Sequence, residues 1–229
     1  MIIAFANSRY KIIALNWVAH LKICGINDYI IYSLDEDCYK FLYNNQINTE
    51  FLKSDMFNKK LNFRQRLNKI YELLDNEINV LHSDLDAIWL KDPINFISDN
   101  YDIVSSVGTF PKNTFDKLGF TLCMGWMYYQ ANSIIKKIFQ NTIKSKNKSL
   151  NDQEIFNNVL FNSELQYSVN DINLNEKEII FNDFKIKALN QKIISRNEPR
   201  CDYTYVCHPL SSTNIDREKF LKEQNLWII

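Results

Sequence analysis

Short apolar runs and longer segments of helical spacing alternate through residues 1–110, and this alternation limits the possible folds more than any other feature of the chain. Ile2 to Ala6 is the first run. Behind it, Ser8 can cap a helix whose apolar face carries Ile12, Ile13, Trp17, Val18 and Leu21 and which Gly25 stops. Tyr29 to Ser33 is the next run, followed by Asp35 and a short helix around Tyr39 to Leu42. Asn48 to Leu52 reads as a third strand. A polar, basic stretch leads to helical spacing from Leu61 to Leu74 (Leu67, Ile70, Leu73, Leu74), and Ile78 to Leu81 reads as a buried strand. Strands separated by helices imply a largely parallel sheet covered on both faces. Ligands of such sheets bind beyond the carboxyl ends of the strands. Asn7, Asp35, Asp84 and Asp86 all fall at such ends. The pattern therefore points to a nucleotide site.

Beyond residue 100 the pattern changes. Asp102 to Val107 and Thr121 to Tyr129 read as strands, the second interrupted by Gly125. Asn132 or Ser133 caps a helix through Ile134, Ile135, Ile138 and Phe139. Asn151 caps another through Ile155, Phe156, Val159 and Leu160, with Glu154 at the capping-box position. A polar turn spans Lys144 to Lys148. Glu178 to Phe181, Phe184 to Leu189 and Tyr203 to Cys207 read as short strands, and a last helix starts at Asp216. The expectation is an α/β fold: one domain over residues 1–229, its mostly parallel mixed sheet flanked by helices. Residues 1–110 would form a nucleotide-binding half and residues 111–229 an acceptor-binding half.

Lys and Arg number 27 against 27 Asp and Glu, and this balance argues against a nucleic-acid partner. No run is long enough to span a membrane. Residues 1–21 make a poor signal peptide, because Asn7-Ser8-Arg9 interrupts the apolar start. The five cysteines, at 24, 38, 123, 201 and 207, include no C-x-x-C pair, which favours buried, reduced thiols and a cytoplasmic protein. Cys201 and Cys207 could pair or bind metal, but their spacing fits no zinc template.

The segment Val80-Leu81-His82-Ser83-Asp84-Leu85-Asp86-Ala87-Ile88-Trp89-Leu90-Lys91-Asp92-Pro93 carries the chemistry. Residues i and i+2 leaving a strand point the same way, so Asp84 and Asp86 can converge on one hard cation. A bare D-x-D is common by chance; this longer string, with Trp89 and Asp92-Pro93, is far more specific. It resembles the DxD motif of metal-dependent glycosyltransferases of the GT-A fold. Three further stretches extend the resemblance over most of the chain: Ala6-Asn7-Ser8-Arg9-Tyr10 with Asn16-Trp17, Tyr32-Ser33-Leu34-Asp35, and Gly125-Trp126 through Asn151-Asp152-Gln153-Glu154-Ile155-Phe156-Asn157. The chain resembles the nucleotide-diphospho-sugar transferase family (glycosyltransferase family 77-like) and, more loosely, family 8.

The resemblance implies a nucleotide-sugar donor, with uridine diphosphate as the nucleotide, a glycan hydroxyl as acceptor and Mn²⁺ or Mg²⁺ as cofactor. It assigns Asp86 to the metal and Asp84 to the ribose or a metal-bound water, within a metal set of Asp84, Asp86 and His208. Ala6, Asn7, Ser8, Tyr10, Asp35, Ser83 and Asp84 would line the nucleotide, with Tyr10 stacking on the base. A core-facing Tyr10 and a simple turn role for Asp35 are the alternatives. Related families often carry an acidic residue where this chain has Asn7, which leaves the base open.

Among the basic residues Lys59, Lys60, Arg64, Arg66 and Lys69, the pair Arg66 and Lys69 lies at i, i+3 and could face the diphosphate, or be a solvated helix face. Asp152 and Gln153 resemble the Asp-Gln pair beside the donor sugar, Asp152 being the catalytic candidate; a first-turn carboxylate is the alternative. Gly125 suggests close ligand approach or a bulge. His208 departs from family 8, which has His-x-x-Gly-x-x-Lys, so it is a third metal ligand or an ordinary strand-end histidine. His82 reads as packed, and His20 as without chemistry. Two rival readings are a haloacid-dehalogenase-type DxD phosphatase and an inactive nucleotide- or glycan-binding module. The phosphatase motif wants Thr or Val where Ile88 stands, usually after the first strand.

Overall fold

The computed structural model describes residues 1–52, 59–145, 151–161, 166–172, 176–196, 202–210 and 213–229. Its contacts define two compact units, one of residues 1–56, 83–96 and 191–229, the other of residues 57–82 and 97–190. The fold is α/β in both.

The first unit begins with β1 (Ile2–Ala6), α1 (Lys11–Ile23), β2 (Tyr29–Ser33), α2 (Glu36–Asn44) and β3 (Thr49–Phe51). β1 and β3 both run parallel to β2, with Ala4 opposite Ile31 and Tyr32 opposite Glu50. All five residues of β1 are buried, as expected of a strand covered on both faces. The start of α1 differs from the expected Ser8 cap. Its N-cap is Tyr10, whose side chain makes no capping hydrogen bond, because residues 7–10 form a turn instead. In that turn Tyr10 N–H bonds the Asn7 carbonyl at 2.8 Å, and Arg9 N–H bonds Asn7 Oδ1 at 3.1 Å. Asp35 caps α2 by accepting from Cys38 N–H at 2.8 Å. Two polar side chains of α1 hold the chain's end: Asn16 Nδ2 and His20 Nε2 both contact the Leu226 carbonyl, at 3.0 and 2.9 Å.

The second unit contains α3 (Lys59–Asp75), most of β4 (Val80–Ser83), β6 (Ile103–Gly108), α4 (Lys112–Leu118), β7 (Thr121–Tyr129), α5 (Ser133–Lys144), α6 (Asp152–Leu160), β8 (Tyr167–Ile172), β9 (Glu176–Phe181) and β10 (Lys185–Leu189). The first unit resumes with β5 (Ile88–Trp89) and ends with β11 (Ile194–Ser195), β12 (Val206–Cys207) and α7 (Asn214–Glu223). In the second unit the hydrogen-bonded strand order is β4-β7-β6-β10-β9-β8. β10 runs parallel to β6, whereas β6/β7, β9/β10 and β8/β9 are antiparallel, so the sheet is mixed.

Between Ser105 and Ser106 the pairing on β7 jumps from Met127 to Cys123, which leaves Met124, Gly125 and Trp126 as a bulge. Two amides of α6 hold that bulge: Gln153 Oε1 accepts from Met124 N–H at 3.0 Å, and Asn157 binds both N–H and carbonyl of Leu122 at 2.9 Å. Tyr129, Phe139 and Phe156 pack together with centroids 4.9–5.9 Å apart, forming the centre of this unit's core. Asn132 caps α5 and Asn151 caps α6, the latter accepting from Glu154 N–H at 2.8 Å.

The expected Tyr203–Cys207 strand is shorter, β12 covering Val206–Cys207 alone. Among the described residues, Cys24, Cys38, Cys123 and Cys207 are in no disulfide. Cys201, the side chains of Lys59 and Lys60, and most of the Lys144–Lys148 turn lie outside the described residues. No helix among the described residues is long and apolar enough to cross a membrane.

Candidate active site

The first unit brings Asp84, Asp86 and His208 together, with one ligand atom from each lying within 4.8 Å of the others. The route is a turn and a small sheet, not the extended chain expected from i, i+2 spacing. Past Ser83 the backbone turns, Ala87 N–H bonding the Asp84 carbonyl at 3.0 Å, before β5 begins. β5 pairs antiparallel with β12, Ile88 opposite Cys207 and Trp89 opposite Val206. His208 follows Cys207, so this register carries it back alongside the turn that bears Asp86. β11 supports β12 from its other side, and His208 N–H bonds the Ser195 carbonyl at 2.8 Å. His208 Nε2 then lies 3.4 Å from Asp86 Oδ1 and 3.8 Å from Asp84 Oδ2.

Ser83 fixes the approach to this turn. Its hydroxyl accepts from two indoles, Trp17 Nε1 and Trp89 Nε1, each at 3.2 Å, and all three side chains are fully buried. Ser83→Ala removes the acceptor of both. A buried donor left without a partner costs about 1–3 kcal/mol, so the variant is expected to lose roughly 2–4 kcal/mol in urea unfolding. A loss below about 0.5 kcal/mol would mean that the indoles find other acceptors.

Two arginines outside the expected set complete the cluster. Arg217 donates from Nε to Asp86 Oδ2. Arg196 Nη1 lies 2.5 Å from His208 Nδ1. A guanidinium has donors only, so Nδ1 is the ring nitrogen that can accept from it, while Nε2 faces the carboxylates. Burial alone would raise the Asp86 carboxyl, but His208 and Arg217 beside it prevail and hold it down to about 2. α7 positions Arg217 through packing: Leu221, one turn later, is buried against Ile88, Cys207 and Leu226. The same guanidinium lies over the Tyr10 ring, 5.8 Å from its centroid.

Tyr10 is half-buried, not a core residue. Asp35 is buried, with both oxygens on backbone: Oδ1 caps α2 and Oδ2 accepts from Ser8 N–H at 2.7 Å. Ala6 ends β1, and Leu34 N–H bonds its carbonyl at 2.7 Å.

In the second unit, Arg66 donates through Nε and Nη2 to Asp152 Oδ2, and Asp152 is buried at the start of α6. Its Oδ1 accepts from Gln153 N–H at 3.0 Å. Gln153 spans to the Phe110 carbonyl at 2.7 Å as well as to the β7 bulge that contains Gly125. Lys69 pairs with Glu72 at 2.7 Å, so Arg66 and Lys69 have separate partners. His82 is buried, with Nδ1 2.8 Å from the Met124 carbonyl, as its packed reading required.

Two carboxylates and an imidazole suit a divalent cation, and their spacing fits one. The imidazole would ligate through Nε2, the nitrogen that faces both carboxylates.

The fold is that of GT-A glycosyltransferases. The galactosyltransferase LgtC, in complex with donor and acceptor sugar analogues, aligns over 100% of this chain and 97% of its own, at 13% identity and a TM-score of 0.56. A glycosyltransferase involved in glycosylation of the major capsid of PBCV-1 aligns over 97% of this chain and 98% of its own, at 11% identity and a TM-score of 0.55. WbbM, a bifunctional glycosyltransferase, aligns over 98% of this chain but 44% of its own, at 11% identity and a TM-score of 0.56. No curated protein sequence matches the chain significantly. Residues 24–220, however, match the profile of the nucleotide-diphospho-sugar transferases, and the chain belongs to that family.

Proposed function

We propose that the protein is a cytoplasmic, metal-dependent glycosyltransferase that moves a sugar from uridine diphosphate to a glycan hydroxyl with retention at the anomeric carbon. The observation that carries this reading is the convergence of Asp84, Asp86 and His208 from segments more than a hundred residues apart. What a divalent cation supplies when bound there is stabilisation of the negative charge that grows on the departing diphosphate. Magnesium prefers oxygen ligands and keeps its waters, whereas an imidazole beside two carboxylates favours manganese. Asp86 and His208 would hold the metal, and Asp84 would contact it or the ribose. In the transfer, the bond from anomeric carbon to phosphate oxygen breaks and the acceptor oxygen forms the new bond from the same face. The acceptor proton passes to the departing phosphate oxygen.

Tyr10 is assigned to the nucleobase, supported by its position after β1 and by the planar guanidinium lying over its ring. An aromatic platform contributes about 1–3 kcal/mol per stacked base. Tyr10→Phe should therefore bind uridine diphosphate as wild type does, and Tyr10→Ala should bind about tenfold more weakly. If Tyr10→Ala lowers the melting temperature but leaves nucleotide affinity unchanged, the ring serves packing alone. The function itself is tested by a thermal-shift screen of nucleotide sugars with and without Mn²⁺. Stabilisation that needs both together supports the proposal, and its absence across all donors defeats it.

A further inference from the structure

We propose that Phe110 is the platform on which the acceptor sugar stacks. The inference rests on the glycosyl transfer proposed above and names a residue on the acceptor side of that reaction. Phe110 lies between β6 and α4, in the loop that leaves β6 after Gly108. It is 44% exposed, while Pro111 beside it is buried. A single apolar side chain in water is ordinary. An exposed aromatic whose backbone is fixed from two sides is a different case, because binding loops are positioned by a rigid scaffold.

Both holds end on the Phe110 carbonyl. The Thr121 hydroxyl donates to it at 2.6 Å, and Gln153 Nε2 donates at 2.7 Å. Gly108 makes room for the first, since a Cβ there would lie only 3.0 Å from Thr121 Oγ1. Gln153 Oε1 meanwhile accepts from Met124 N–H at 3.0 Å, in the β7 bulge that contains Gly125. The Gln153 amide is thus a brace between the Phe110 loop and the bulge, with backbone at both ends. α4, which starts after Pro111, is tied to α6 as well, Asn113 Nδ2 donating to Asn158 Oδ1 at 3.2 Å.

The occupant follows from what shares this frame. Asp152, the catalytic candidate, accepts from Gln153 N–H at 3.0 Å, so one residue links the carboxylate to the loop that bears the ring. A pyranose has the matching make-up. One of its faces carries C–H groups that lie flat on an aromatic ring, and its rim carries hydroxyls that a carboxylate or backbone group can bind.

The test is initial-rate kinetics with methyl hexopyranosides as acceptors and saturating uridine diphosphate sugars as donors, on wild type, Phe110→Ala, Phe110→Leu and Phe110→Tyr. Loss of the ring removes binding common to ground and transition states, so the acceptor KM of Phe110→Ala should rise at least about tenfold while kcat stays within about threefold. Phe110→Leu keeps apolar bulk without a flat face and should behave as the alanine variant does. Phe110→Tyr keeps the face and should stay within about twofold of wild type. A wild-type acceptor KM in either the alanine or the leucine variant overturns the inference, as does a loss that falls on kcat alone. Donor hydrolysis by wild type without transfer to any methyl hexopyranoside overturns it too, leaving the use of the donor intact. If wild type neither hydrolyses a donor nor transfers its sugar, the proposed function itself fails.

Discussion

Asp86→Asn is expected to abolish transfer and to remove the Mn²⁺-dependent part of nucleotide binding. Asparagine matches aspartate in shape but carries no charge, and the site loses a carboxylate that faces both His208 and Arg217. A ligand bound to the folded state at a hundred times its dissociation constant raises stability by about 2.7 kcal/mol. Wild type with Mn²⁺ and uridine diphosphate should show a gain of that order over nucleotide alone, and Asp86→Asn should show none. The variant should still fold, because Arg217 retains a route to water when it loses its partner. A metal-dependent shift equal to wild type's would remove Asp86 from the metal site. Donor hydrolysis measured on the same samples separates an enzyme from an inactive binding module.

Much of the fold was legible where its signals are local. β1, β2 and β7 begin and end where the apolar runs do, and Asn151 with Glu154 marked the start of α6. Elements with weak local signal escaped. β8 is mostly exposed and polar, with Ser168, Asn170 and Asp171 along it, and it exists because β9 pairs with it. β5 and β11 are two residues each, too short for any periodicity. Ser8 looked like a helix cap, but the Asn7 side chain claims the backbone first by closing its own turn.

The site divides in the same way. Asp84 and Asp86 form a local pattern, whereas His208 reaches them through the register of β12 on β5, which no spacing in the sequence encodes. In the sequence it is the family resemblance that points to it. Arg217 and Arg196 had no such guide. Arg217 lies one helical turn before Leu221, so it shares the face that α7 packs, but that pattern marks a buried-side charge only once the partner sheet is known. Where both oxygens of Asp35 and the hydroxyl of Ser83 are engaged by the protein itself, sequence could name the residue but not its partners.

Asp152 has a structural role, through Arg66, and a proposed chemical one at the donor sugar, and a pair of variants tells them apart. Asp152→Asn is expected to slow transfer at least about tenfold, about 1.4 kcal/mol of barrier, with diphosphate binding nearly unchanged. It also breaks the ion pair, leaving Arg66 beside a neutral amide. Removing one partner of a buried pair costs about 3–5 kcal/mol. Arg66 is 18% exposed and can recover some solvation, so the stability loss should fall towards the lower end of that range. Slower transfer alone would therefore be ambiguous.

Arg66→Gln supplies the control, because it breaks the same pair but keeps the carboxylate. If Asp152 contacts sugar or acceptor, Arg66→Gln should lose comparable stability yet transfer at close to the wild-type rate at a temperature where both variants are folded. Asp152→Asn should remain slow under the same conditions. Equal losses of transfer in the two variants would reduce Asp152 to the anchor of Arg66 at the start of α6. Loss of the Mn²⁺ response in Asp152→Asn, with Asp86 intact, would instead mean that the division of roles between these two carboxylates is wrong.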